Sequence, residues 1–481
     1  MLSSLKDSGK ASTFLYVPND ATGRVKGGTN MKLTVIVLPS SEKLSRNNHP
    51  FSVHTITDQL SGVGSGDISN VQIHVMDSDV AQFMCPAAAA IARAFPLYNA
   101  KSGASASASA NITVSFANEK GETIQTSSLW STSSAVSSGI RLAARLGDMP
   151  PAELNPDSYS QICHEMVNKL VQDGHDVKIE EIKGKDLQEG GFGGIYGVGM
   201  CARDEPRMVV MTYTPKIEAA EVKGEDEDGN EHEHEEPKRE HIALCGKGVI
   251  YDTGGLSLKP KAGMCGMKHD MGGSAGVLGG FQAAVQLELP TKISLVLAIV
   301  ENAIGPEAVR NDDILTMKSG KTVEINNTDA EGRLILADCV SYASNSIPDV
   351  DVILDMATLT GAQLITTGKK HAGILAKTEV IEERIVKAGK QTGDLVYPML
   401  YAPELLKGEF ASKVADMKNS VKDRSNAQAS CAGHFIESHI DSNYQGDWVH
   451  VDMAGPDSKN ERATGYGVAL VLGLLNAPGF H

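Results

Sequence analysis

From about residue 155 onward the chain alternates near-continuous apolar runs with helical patterns, and this alternation limits the available folds more than any other feature. The runs are HDVKIEEI (175–182), RMVVMTY (207–213), HIALCGKGVIYD (241–252), KISLVLAIV (292–300), VDVILDMATL (350–359) and DWVHVDMAG (447–455). Segments such as SAGVLGGFQAAVQL (274–287) and LILADCVSYASNS (334–346) separate them. Strands apolar on both faces and bounded by helices predict an α/β fold with a central, mostly parallel mixed sheet flanked by helices. In such sheets, ligands gather beyond the carboxyl ends of the strands, so chemistry is sought there.

The first part differs in texture. Shorter β-like runs, KLTVIVLPS (32–40), FSVHTIT (51–57), NVQIHVMD (70–77) and ANITVSFANEKGETI (110–124), surround a predicted helix at DVAQFMCPAAAAIARAF (79–95). A further helix must end before Pro150–Pro151. The division expected is a small N-terminal α/β domain over 1–135 and a larger α/β domain over 136–481, with a linking helix across the boundary. SGASASASAN (102–111) and the acidic stretch 218–240 read as surface loops.

Charge narrows the partners. With 44 Lys and Arg against 60 Asp and Glu, the net charge of −16 argues against nucleic acid or an anionic membrane, both of which need a basic surface. Seven scattered cysteines without a CxxC pair fit a reducing compartment. No apolar run reaches the roughly 18–20 residues of a membrane span, and the N-terminus lacks the apolar core of a signal peptide. A cytoplasmic location is expected.

Three motifs at strand ends or glycine turns carry unusual residues. GKGVIYDTGGLSLK (246–259) contains Lys247, Asp252 and Lys259; MKHDMGG (267–273) contains Asp270; NNTDAEGRLILADCV (326–340) contains Asp329, Glu331 and Arg333. Taken singly, such an Asp is a turn residue, such a Lys faces solvent, and acids before a helix complement its dipole. If 329–333 were extended, the two acids and the arginine would share one face. Gathered in one pocket, four carboxylates cannot all ionise without positive charge, and a pair of divalent cations supplies it. HExxH is absent, and a mainly carboxylate set suits Zn²⁺, Mn²⁺, Mg²⁺ or Co²⁺. The glycine-rich EGGFGGIYGVG (189–199) lacks the GK[ST] ending of a phosphate loop. Met264, Met267 and Met271 belong either to the core or to an apolar side-chain pocket.

These blocks, in this order, resemble the leucyl aminopeptidase family, the cytosolic two-metal exopeptidases. NTDAEGRL (327–334) is that family's signature, and GKGVIYDTGG, SLK, MKHDMGG and ATLTGA (357–362) match further blocks. The resemblance spans about 135–475, and the wording VIYDTGGLSLK is most similar to the animal aminopeptidase-like branch. It implies hydrolysis of the N-terminal residue of peptides by a water that bridges two divalent ions. Lys247, Asp252, Asp270, Asp329 and Glu331 would be the ligands, with Asp252 and Glu331 bridging. It implies that Lys259 polarises the scissile carbonyl and that Arg333 holds a bicarbonate which relays the proton. Met267, Thr358, Gly361 and Ala454 would line the side-chain pocket, and Leu359 would hold peptide backbone. Zinc is the first expected metal, substrates need a free N-terminal amine, and the assembly implied is a homohexamer.

The sequence departs from the family at Asp457, where an apolar pocket residue is commoner; this leaves room for basic or polar side chains. KDRSNAQASCAGHF (422–435) replaces a glycine-rich stretch, and the 218–240 loop resembles an insertion. The rival functions are a non-catalytic scaffold or regulatory relative that retains the metal site, a two-metal phosphatase, and a nucleotide-binding oxidoreductase.

Overall fold

In the computed structural model, the described residues are 13–18, 33–37, 44–61, 70–75, 80–102, 113–118, 122–216 and 239–480. Most of the two surface loops expected at 102–111 and 218–240 lies outside them. Strands β1 (Thr13–Pro18), β2 (Leu33–Val37), β3 (Asn70–Val75) and β4 (Thr113–Ala117) form a four-stranded sheet in the order β2-β1-β3-β4. FSVHTIT (51–57) is not a strand. It enters the helix His54–Ser61, because Val53, Ile56 and Leu60 fall at helical spacing and bury one face against the helix Val80–Ala94. The apolar content was legible there, but its period was not.

The second half builds an eight-stranded sheet from β5 (Val177–Lys183), β6 (Arg207–Tyr213), β7 (His241–Asp252), β8 (Lys292–Asn302), β11 (Val352–Ala357), β12 (Ala372–Ala376), β13 (Val396–Pro398) and β15 (Asp447–Asp452). Their order is β13-β12-β15-β11-β7-β8-β6-β5. Pairings inside β15-β11-β7-β8 are parallel, as is β12–β13; β12–β15, β6–β8 and β5–β6 are antiparallel. A small sheet, β14-β10-β9, lies beside it, from β9 (Ile314–Thr316), β10 (Thr322–Glu324) and β14 (Met417–Lys418).

The near-continuous apolar runs arise because helices cover both faces. On β8, Ile293, Leu295, Leu297 and Ile299 join one core, while Val296, Ala298 and Val300 join the other. The helix Gly272–Gln286 packs on the first side, and the helix Gly332–Asn345 on the second. Helix Ser127–Asp148, which contains residue 135, touches both helix Val80–Ala94 and helix Gly272–Gln286. It ends before Pro150–Pro151, as the sequence requires. Among the described residues, no helix is long and apolar enough to cross a membrane.

The glycine-rich stretch 189–199 has a packing role. A Cβ on Gly193 would fall 2.0 Å from the Thr316 carbonyl oxygen, and one on Gly194 would fall 2.4 Å from that of Leu334. The short helix Gly193–Gly199 is therefore pressed against the helix Gly332–Asn345. Asp338 on that longer helix accepts from the Gly194, Ile195 and Lys318 amides at 2.8, 2.9 and 2.8 Å. Burial pushes its carboxyl up to about 7, against the pull of the three amides. Asp338→Ala strips those amides of their acceptor and is expected to lower the unfolding free energy by about 3 kcal/mol in urea titrations at pH 6. A loss well under about 1 kcal/mol would mean that water replaces the carboxylate.

Candidate active site

The carboxyl ends of the four parallel strands bring the three motifs together. β7 is the longest of them: it pairs with β11 only as far as Gly246 but follows β8 to Asp252, opposite Asn302. Lys247 thus stands where β11 gives way to Thr358, and Asp252 stands at the end of its own strand. Asp270 closes the turn before helix Gly272–Gln286, and Glu331 is the N-cap of helix Gly332–Asn345.

Lys247 Nζ lies 2.7 Å from Asp270 Oδ1 and 3.0 Å from Glu331 Oε1, and it donates to the Thr358 carbonyl at 2.9 Å. Lys259 Nζ lies 2.6 Å from Asp252 Oδ2 and 2.5 Å from Asp329 Oδ1; the second contact leaves that oxygen without a well-formed hydrogen bond. All five residues expected as ligands therefore converge with Lys259. Gly332 is needed for the approach, since a Cβ there would fall 2.6 Å from Lys247 Cε. Gly254, at φ +83°, likewise leaves space beside Asp329 Oδ1.

Electrostatics match the crowding. Burial raises the carboxyls of Asp252, Asp270 and Asp329 above their usual range, Asp270 well above it, and the neighbouring lysines pull each one back. Burial works against both ammonium groups. The surrounding acids outweigh it, Asp270 and Glu331 at Lys247 and Asp252 and Glu331 at Lys259, and both lysines are held above the ordinary lysine range. With four acids and two lysines, the cluster is short of positive charge.

The donors fit divalent cations. Asp252, Asp329 and Glu331 each bring a carboxylate oxygen within 4.8 Å of the others, and Asp270 keeps a buried Oδ2 with no hydrogen-bond partner. Hard oxygen ligands of this kind suit ions of the Zn²⁺, Mn²⁺ or Mg²⁺ type.

The expectation of one extended acid–acid–base face is corrected. Residues 328–329 form a turn, and helix starts at Gly332, so Arg333 does not share a strand face with the acids. Arg333 is buried and donates from Nη1 to the Asn419 carbonyl at 3.1 Å; among the described residues its Nε has no partner. Burial lowers its guanidinium to about 10.

The expected pocket residues border the same strand ends. Leu359 N and Ala454 N both donate to Asp452 Oδ1, at 3.1 and 3.3 Å, so one buried acid links the 358–361 and 454 segments. Thr358 Oγ1 donates to Asp270 Oδ1 at 2.9 Å. Gly361 faces open space, and Met267 is half-buried in the short 3-10 turn Met267–His269 before Asp270. Of the methionines, Met271 is core. Sequence reasoning missed Asp452 and Asn302. Asn302 donates from Nδ2 to Asp252 Oδ1 at 2.8 Å and to the Thr328 carbonyl at 3.1 Å. Its position at a strand's carboxyl end was the available signal.

Fold and site together are those of an α/β enzyme with a candidate cation pocket at its parallel strand ends. Residues 141–223 and 230–472 match the catalytic domain of the cytosol aminopeptidase family, and the chain belongs to that family. Its class is therefore that of the aminopeptidases, among the hydrolases. The chain is 44% identical over 448 residues to the probable aminopeptidase NPEPL1 of Mus musculus, covering 92% of this chain and 79% of that one. This agrees with the expected animal branch. It is 40% identical over 448 residues to leucine aminopeptidase 1 of Caenorhabditis elegans, covering 92% and 83%. The structure of leucyl aminopeptidase from Trypanosoma brucei in complex with bestatin matches with a TM-score of 0.81 at 37% identity, covering 99% of this chain and 87% of that one.

Asp457 is buried against the backbone of Gly272, where a Cβ would fall 1.9 Å from Oδ1. Burial, reinforced by the charge of Asp148, pushes its carboxyl up to about 8. The folded chain then keeps a proton that the unfolded chain loses above about pH 4, so this acid increasingly destabilises the fold as pH rises to 8. Asp457→Asn is expected to raise the melting temperature of the metal-free protein, by a margin that widens from pH 5 to pH 8. A constant margin in calorimetry would show that Asp457 is ionised throughout.

Proposed function

We propose that this chain is a dinuclear metal-dependent aminopeptidase that removes the N-terminal residue of peptides. The observation that carries the reading is the approach of Asp252, Asp329 and Glu331 oxygens within 4.8 Å, in a cluster whose acids outnumber its lysines. Lys247, Asp252, Asp270, Asp329 and Glu331 would hold two divalent ions, zinc first, with Mn²⁺, Mg²⁺ or Co²⁺ as alternatives. When bound, such ions supply the Lewis acidity that activates water and polarises a carbonyl. Lys247, an ammonium while it balances Asp270 and Glu331, must release its proton to act as a ligand.

Lys259, half-buried between Asp252 and Asp329, would donate to the oxyanion that develops on the scissile carbonyl. Arg333 would hold a bicarbonate that supplies the base, and its Nε, without a partner among the described residues, supports that role. Leu359 would hold peptide backbone, while Met267, Thr358, Gly361 and Ala454 would border the side chain. The substrate's free α-amine would be a ligand to one of the ions, which accounts for removal of N-terminal residues rather than internal cleavage. The same reading includes a boundary near residue 135, a homohexamer and a cytoplasmic location.

The test uses X-Gly-Gly tripeptides and their N-acetylated twins, with dialysed enzyme and Zn²⁺, Mn²⁺, Co²⁺ or no added metal. Metal-dependent cleavage of the free-amine peptides alone is expected; no cleavage by protein loaded with two ions would favour a non-catalytic relative. Asp329→Asn is expected to lose cation and activity but keep its fold by circular dichroism, and near-normal hydrolysis would refute the ligand role. Arg333→Ala is expected to slow turnover about 10²-fold or more, with partial recovery in formate or bicarbonate. An unchanged rate would exclude the anion role.

A further inference from the structure

Asn419 belongs to none of the three motifs that mark the site, yet it holds the loop that carries two of the proposed ligands. It follows β14, whose Lys418 pairs with Glu324 of β10, and its amide donates to the Glu324 carbonyl at 3.2 Å. The side chain is fully buried. Oδ1 accepts from the Asn326 and Asn327 amides at 3.0 and 3.3 Å. Nδ2 donates to the carbonyls of Asn327 and Ala330 at 2.7 and 3.3 Å. The same residue's carbonyl accepts from Arg333 Nη1 at 3.1 Å. Next to it, Asn326 and Ser420 clasp reciprocally, at 2.9 and 3.2 Å.

Residues 325–331 lie outside helix and strand, so no ladder fixes their backbone. The Asn419 amide grips the loop on both sides of Asp329, at 326–327 and at 330, while Asn302 and Ser257 hold Thr328 between them. We propose that Asn419 is a positioning residue, which sets Asp329 and Glu331 for the cations and Arg333 for its anion in a single registration. The inference rests on the ligand roles proposed above. Asparagine suits the position because it presents a donor and an acceptor side by side. Aspartate keeps the acceptor but turns an oxygen towards two carbonyls, and alanine provides neither.

The experiment compares the metal-loaded wild type with Asn419→Asp, Asn419→Ala and a stability control, Thr392→Ala. Thr392 is buried at the end of helix Glu379–Thr392, and its hydroxyl donates only within that helix. Cation release to a chromogenic chelator, kcat and KM, and the melting temperature are read on each. Both Asn419 variants are expected to bind cation about 10- to 100-fold more weakly, with kcat lowered and KM little changed. Thr392→Ala should lose melting temperature alone. If Asn419→Ala does not fold, the equal-volume Asn419→Asp carries the test. Asn419 variants that melt earlier but keep wild-type cation affinity and kcat overturn the proposal and leave the ligand roles intact. If Asp329→Asn holds cation as tightly as wild type, the ligand roles fall and this inference falls with them.

Discussion

Lys247 Nζ sits among Asp270, Glu331 and the Thr358 carbonyl, all within 3.0 Å, and the surrounding structure is arranged to permit that one buried ammonium. β7 must run past the end of its pairing with β11 so that the side chain can turn towards 358. Helix Gly332–Asn345 must begin with a glycine, because any Cβ would strike the lysine stem. A buried charge left without its partners is strongly destabilising, so the three strand-end motifs are bound to one another by the lysine before any cation is considered. Lys259 repeats the arrangement between Asp252 and Asp329. Between them the two lysines supply part of the counter-charge that the four acids require. A cation entering the cluster competes with ammonium groups rather than filling an uncompensated hole.

This arrangement explains which parts were legible in sequence. The central parallel strands could be read because helices bury both faces, which leaves apolar runs too continuous to be anything else. β12 and β13 were not read. AGILA and VYP are runs of only five and three residues, and β12 pairs antiparallel with β15 at the far side of the sheet, although the helix Glu379–Thr392 separates the two strands. FSVHTIT failed through its period, since a β-branched composition concealed a helical face. At the site, Lys247, Asp252, Lys259, Asp270, Asp329 and Glu331 stood out because each lies within a few residues of a strand end or glycine turn. Asn302 and Asp452 also end strands and Asn419 follows one, but their segments carry no block like the three motifs, and the groups they hold lie 50, 93 and 92 residues away in the chain. For a polar residue that holds another segment's backbone, a strand-end position is the whole of the local signature, and it does not say what is held.

The glycine-rich stretch at 189–199 shows how a local signature can mislead. Its amides at Gly194 and Ile195 converge on one acceptor as a phosphate loop's would, but the acceptor is the chain's own Asp338 carboxyl. The glycines are selected by close approach to Thr316 and Leu334, and the helix dipole they open is closed internally.

Asp338 and Arg333 lie on the same helix, five residues apart, and each ties it to a different part of the molecule. Asp338 binds the 193–199 helix and the 318 loop; Arg333 binds the 419 carbonyl. A helix held at its first turn and again one and a half turns later can neither slide nor rotate. Glu331, at its N-cap, is then fixed by contacts that do not involve the carboxylate, which stays free to face Lys247 and Asp252. Support from the Asp338 carboxyl and the Asn419 carbonyl, rather than from the Glu331 carboxylate, lets that end of the charged pocket keep its geometry whether its counter-charge is a lysine or a cation.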